Sequence, residues 1–151
     1  MRLSAELLGS SEQRTNPLGE REIILRGLAI PAIEHLGVTR DAFDVMDFSD
    51  NRLGRLENFP RLSRLNGLNV CGNVVESIDP SNLSKNVPNL KHMDLSYNQI
   101  SSLSQVSNLG KACPKLEFLS LLGNPVTSEL SRANLRIFPV FLHCLSISRI
   151  W

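Results

Sequence analysis

The apolar residues of this chain follow a short rhythm nested inside a longer one. In the short rhythm Met46 and Phe48, Leu68 and Val70, Met93 and Leu95, and Leu119 and Leu121 each stand two positions apart. Alternation of this kind predicts a short strand with one face buried. In the longer rhythm an apolar residue stands three positions before each pair (Phe43, Leu65, Leu90, Leu116), and an asparagine three positions after it (Asn51, Asn73, Asn98, Asn124). A further apolar residue follows each asparagine by two: Leu53, Val75, Ile100 and Val126. The asparagines lie 22, 25 and 26 residues apart, so one supersecondary unit recurs along the chain. A degenerate earlier copy runs through Ile23, Leu25, Leu28 and Ile30, and a partial later one through Leu142, Leu145 and Ile147.

This is the template of a leucine-rich repeat. It predicts an α/β solenoid of about five to six repeats, with a parallel sheet on the concave face and short helices or 3-10 turns on the convex face. Stacked strands of such a sheet lie ~4.8 Å apart. The asparagine falls where the chain turns inward, and its amide can pair with backbone groups that would cost roughly 1–3 kcal/mol each if left unsatisfied. Leu28 takes that place in the first copy, which suits a terminal repeat with no upstream neighbour. Leu83, Val87, Val106 and Leu109 recur at helical spacing and predict the convex segments. Pro60, Pro88, Pro114 and Pro139 stand shortly before successive strands and favour extension there.

A solenoid exposes core at both ends and needs covering. Ser4 is placed to cap a short helix over AELLG, and the segment after Asn124-Pro125 reads as a second cap. The expected organisation is one domain over 1–151, with an N-terminal cap at 1–20, repeats at 21–126 and a C-terminal cap at 127–151. The chain stops at Trp151 while still apolar, which suggests a domain boundary or a truncated chain.

Composition narrows the function classes. A net charge of +1 provides no global field for nucleic acid or membrane, so such binding would need local patches. The three cysteines, Cys71, Cys113 and Cys144, form no CxxC pair and suit a reducing compartment better than a disulfide framework. The N-terminus lacks the apolar run of a signal peptide, and no stretch is long enough to span a bilayer. No metal or cofactor motif is present.

The positions between the buried residues of each strand point outward, onto the concave face. They form three rows: Glu22, Val45, Gly67, His92, Phe118 and Cys144; Ile24, Asp47, Asn69, Asp94, Ser120 and Ser146; Arg26, Ser49, Cys71, Ser96, Leu122 and Ser148. Asp50 and Tyr97 follow at the strand-to-turn edge. The rows predict an acidic, polar centre and an apolar C-terminal half. The candidate partner-binding residues are Glu22, Ile24, Asp47, Asn69, His92, Asp94, Tyr97, Phe118 and Leu122, which would suit a helix laid in the groove. The plainer alternative is that these polar residues only solvate the open face.

Asp47 and Asp94, two strands apart, could be imagined as an acid/base pair. No nucleophile, base and orienting group assemble around them, so a binding function is expected and catalysis is not. A possible basic edge runs through Arg21, Arg64, Lys91 and Lys115, with Arg26 a further candidate for lying near nucleic-acid phosphate. Ordinary solubilising charge is the simpler account of that edge.

The N-terminal half is more particular than a repeat consensus. Thr15-Asn16, Arg21-Glu22, Leu25-Arg26-Gly27, Ile30-Pro31, Leu36-Gly37, the run FDVMDFSDN from Phe43 to Asn51, Phe59-Pro60, and Gly123-Asn124-Pro125-Val126-Thr127 carry the likeness. In these residues the chain resembles the A-prime family of the U2 small nuclear ribonucleoprotein, over nearly its whole length. The resemblance implies a nuclear adaptor without cofactor or small-molecule substrate. Its concave face would grip a helix of an RNA-recognition-motif partner of the B-double-prime type. The pair would bind a stem-loop of U2 small nuclear RNA during pre-mRNA splicing. Other intracellular repeat adaptors, of the phosphatase-regulator or dynein-light-chain type, share the repeat and cap and are the alternative.

Overall fold

A computed structural model describes residues 1–128. Helix α1 (Ala5–Ser10) opens the chain, and the Ser4 hydroxyl accepts from the Leu7 N–H at 3.1 Å, as an N-cap should. Strand β1 (Glu12–Thr15) then pairs antiparallel with β2 (Arg21–Ile24). This hairpin was not foreseen in the segment read as a simple cap. Its turn is built by Asn16, whose side-chain oxygen accepts from the Leu18 and Glu20 N–H groups at 3.0 Å, with Gly19 at φ +79°.

Strands β3 (Val45–Asp47), β5 (Gly67–Asn69), β7 (His92–Asp94) and β8 (Phe118–Ser120) extend β2 as a parallel sheet in the order β1-β2-β3-β5-β7-β8. The register aligns Ile23, Met46, Leu68, Met93 and Leu119, all buried. Leu25, Phe48, Val70, Leu95 and Leu121, two positions further along each repeat, are buried as well. Both residues of every alternating pair therefore face the core, where full burial contributes about 1.5–3 kcal/mol each. Five repeats lie within the described residues; the partial copy at 142–147 and the expected C-terminal cap from 129 onward lie outside them.

The asparagine ladder is continuous. The Asn73 amide donates to the carbonyls of Phe48 (2.9 Å) and Val70 (3.0 Å), and its oxygen accepts from the Leu53 N–H at 2.9 Å. Asn98 does the same for Val70, Leu95 and Val75, and Asn124 for Leu95, Leu121 and Ile100. Asn51 reaches back to the Leu25 carbonyl and accepts from Leu28 and Ile30, so the first copy is served by its downstream neighbour.

The return segments are a 3-10 helix (Leu36–Thr39), α2 (Pro80–Asn86) and α3 (Leu103–Ala112). Asp79 caps α2 through the Asn82 N–H, with Pro80 just inside the helix. Leu83, Val106 and Leu109 are buried from these helices and Val87 from the end of α2, as their spacing predicted. A second small sheet, β4 (Arg55–Leu56) with β6 (Ser77–Ile78), joins the return paths and had no signature in the sequence. Among the described residues no helix is long and apolar enough to cross a membrane.

Candidate partner-binding face

The outer face of the sheet carries the rows read from the sequence. Backbone pairing sets Glu22, Val45, Gly67, His92 and Phe118 in one register line and Ile24, Asp47, Asn69, Asp94 and Ser120 in the next. Cys144, Ser146 and Ser148, read as their continuation, lie outside the described residues.

The second row has a structural duty that alternation alone does not reveal. The side-chain oxygens of Asp47, Asn69 and Asp94 accept from the N–H groups of Ser49, Cys71 and Ser96, each two residues on, at 2.9–3.0 Å. Asp and Asn are favoured here because they can close this local turn at the end of a strand.

The expected open acidic centre is corrected. Asp47 is only 3% exposed, and it accepts from Arg26 at 2.8 Å as well as from the Ser49 hydroxyl. Glu22 is likewise buried and paired to Arg14 of β1 at 2.8 Å. The hairpin that the sequence reading missed therefore supplies the cation that neutralises Glu22. Asp94 and Asn69 remain half-buried, Ile24 likewise, and His92 stands exposed.

Phe118 and His92 form the aromatic part of the first row, their ring centroids 6.5 Å apart and tilted by 46°. Between Val45 and His92 the row holds Gly67, whose missing side chain leaves a notch of about 260 Å³. Asn16 and Glu20 of the hairpin turn reach its rim. Glu20, Asn16 and Gly67 were absent from the sequence-derived site. The signals were a glycine in a row of side chains and an Asn-Pro-x-Gly turn before the first repeat.

At the far edge of the strands lies a row in the left-handed backbone region: Gly27 (φ +68°), Asp50 (+56°), Gly72 (+71°), Tyr97 (+56°) and Gly123 (+74°). Tyr97 is 58% exposed, and its neighbour Leu122 is half-buried. The Cys71 thiol on this face is pushed up, first by burial and then by the charges of Asp94, Asp50 and Asp47, which opposes a thiolate.

The basic edge does not form as a stripe. Backbone bonds place Arg21, Asp44, Asn66, Lys91 and Glu117 in one line across the sheet, with both signs of charge. Arg64 is bound to Asp44 at 2.8 Å, Lys115 donates to Asn89 at 2.6 Å, and Arg21 lies over the Phe43 ring at 5.4 Å. Lys91 is exposed. Arg26 stands in the third concave row, as read from the sequence, and is bonded there to Asp47 and Ser49. Among the described residues no cluster of three or more His, Cys, Asp or Glu side chains could hold a metal ion.

A stacked parallel sheet, an asparagine ladder and helical returns define a leucine-rich repeat protein, and the leucine-rich repeat family model matches residues 1–142. The probable U2 small nuclear ribonucleoprotein A′ of Caenorhabditis elegans is 42% identical over 141 residues, which are 93% of this chain and 54% of that protein. The U2 small nuclear ribonucleoprotein A′ of Mycosarcoma maydis is 45% identical over 129 residues, 85% of this chain and 52% of its own. The human one is 40% identical over 129 residues, 85% of this chain and 50% of its own. A chain in the crystal structure of the Drosophila melanogaster SNF/U2A′ complex superposes with a TM-score of 0.85 at 39% identity, over 95% of this chain and 81% of that one. The chain belongs to the A-prime family of the U2 small nuclear ribonucleoprotein. It spans about half the length of the curated relatives it matches.

Proposed function

We propose that this chain is the leucine-rich repeat adaptor of a U2-type particle in the nucleus. Its concave face holds a helix of an RNA-recognition-motif protein of the B-double-prime type. That pair, and not this chain alone, holds a stem-loop of U2 small nuclear RNA and serves pre-mRNA splicing. The observation that carries this reading is the likeness to a chain of the SNF/U2A′ complex over 95% of the present one.

The face suits such a partner. Phe118, His92, Leu122 and Tyr97 offer apolar and aromatic area at the C-terminal side, where a helix can seat its anchors. The paired acids Glu22 and Asp47 hold Arg14 and Arg26 in place and so shape the N-terminal side. The RNA is reached through the partner, because this chain carries a net charge of +1 and, among the described residues, no row of exposed aromatics on which bases could stack. Tagged chain recovered from nuclear extract should bring with it one RNA-recognition-motif protein and U2 small nuclear RNA. Recovery of phosphatase or dynein subunits in their place would overturn the proposal in favour of another repeat adaptor.

A further inference from the structure

The first concave row carries a side chain at every described position but one. Gly67 interrupts it, and the notch this leaves is about 260 Å³, below the roughly 300–1,000 Å³ of small-molecule sites. A space of that size takes a single side chain. Val45 and Phe118 border it with apolar surface, which suits an aliphatic stem.

Beside His92 and the asparagine NH2 groups, the polar groups around the notch are acceptors. Asp94, Asn69, Asn66, Asn16 and Glu20 bring side-chain oxygens that accept. The Asn66 side-chain oxygen is buried with no donor, so its loss of hydration is uncompensated. The terminal torsion of an asparagine is broad, so this amide can turn toward an incoming donor. Asp94 and Glu20 also lack a cation. The ion pairs among the described residues employ Glu34, Glu22, Asp47 and Asp44 instead. The N-terminal acids of the face are thus answered from within the chain, while the acids at the notch are left for something outside it.

We infer that the notch above Gly67 receives one long cationic side chain, lysine or arginine, from the partner's helix; this rests on the proposed binding mode. Its stem lies along Val45 and Phe118, and its head donates to Asp94, Glu20 and Asn66. Asp94 is half-buried, so its attraction for the head is screened less than that of a surface charge.

Two substitutions test this against the RNA-recognition-motif partner, with affinity measured over a range of salt. Asp94→Asn removes the charge but keeps the turn, since Asn69 makes the same bond to Cys71 that Asp94 makes to Ser96. Gly67→Ala narrows the notch at its floor with a methyl that would lie 3.2 Å from Val45 Cγ2, a contact a small shift relieves. Circular dichroism and thermal melting establish that each variant is folded. Asp94→Asn is expected to weaken binding about tenfold or more and to flatten its salt dependence. Gly67→Ala is expected to weaken it similarly, and the double variant to be no worse than the weaker single, because both act on the seating of the same side chain. Alanine replacement of the partner's lysines and arginines should find one whose loss is not additive with Asp94→Asn. Binding by both single variants within twofold of wild type would overturn the notch assignment and leave the proposed partnership standing. Loss with Gly67→Ala but not with Asp94→Asn would replace the cation with an apolar occupant. Wild-type chain that does not bind the partner at all would overturn both readings.

Discussion

Tyr97 lays its ring across Gly123: a Cβ built on that glycine would stand 2.5 Å from Tyr97 Cδ1. The same relationship recurs one repeat-pair earlier, where Asp50 reaches over Gly72. All four residues have positive φ, so the turn at the end of each strand alternates between a side chain held in the left-handed region and a glycine that gives it room. Gly123→Ala meets both a strained backbone at φ +74° and the Tyr97 ring. It should lower stability by about 1–3 kcal/mol and displace the ring. A denaturant midpoint equal to that of wild type would exclude this account.

Asn73→Ala removes four hydrogen bonds that serve backbone groups of two successive repeats. Each buried group left unsatisfied costs roughly 1–3 kcal/mol, so a loss of about 3 kcal/mol or more is expected. Urea unfolding with an unchanged m-value is the measurement, and a smaller effect than that of Gly123→Ala would contradict the ladder.

Asp44 and Arg64 set a pH-dependent contact at the edge of the sheet. The hydrogen bond from Arg64 holds the Asp44 carboxyl below its ordinary value of 3.8, helped by the Arg21 N–H and opposed by partial burial. With the folded value below the unfolded one, the stabilisation is complete above the ordinary aspartate range and fades as pH falls through the lowered value. Arg64→Ala should therefore destabilise only modestly at neutral pH, because water screens a pair whose guanidinium is this exposed. The difference from wild type should vanish in strong acid. A carboxyl titration followed by NMR should show Asp44 rising in the variant.

Phe118→Ala should leave the fold intact and weaken partner binding by about 2 kcal/mol or more if the ring anchors a pocket. Asp47→Ala should behave in the opposite way. It frees Arg26 and the Ser49 N–H and hydroxyl, so its main cost should fall on stability. Isothermal calorimetry paired with melting curves separates the two, and equal wild-type affinity for Phe118→Ala would remove it from the site.

RNA contact by this chain should be small without its partner and should depend on few side chains. In the ternary complex each lost phosphate contact lowers the slope of log affinity against log salt by a little under one unit. Lys91 is exposed while Arg64 is held by Asp44, so Lys91→Ala should reduce the slope more than Arg64→Ala. An unchanged slope for the double variant would mean that neither side chain lies near phosphate.

The sequence by itself determined the repeat. Its register was legible because strand alternation, the apolar residue before it and the asparagine after it are local demands, each met within about ten residues and then repeated. Met46, Leu68, Met93 and Leu119 fell into one line, and Asn73 and Asn98 into the interior, because a stacked repeat leaves no other arrangement that buries them. Only the tertiary structure decided which concave charges remain free. Arg14 answers Glu22 across a hairpin, and Arg26 answers Asp47 from the neighbouring strand, 21 residues away. Row membership told where those acids point but not what lies within hydrogen-bonding reach. The same holds for the possible basic edge, where Arg64 is bound to an aspartate 20 residues earlier. Periodicity reports the face on which a side chain sits; its charge state and its partners depend on distances between separate segments, which only the folded chain sets.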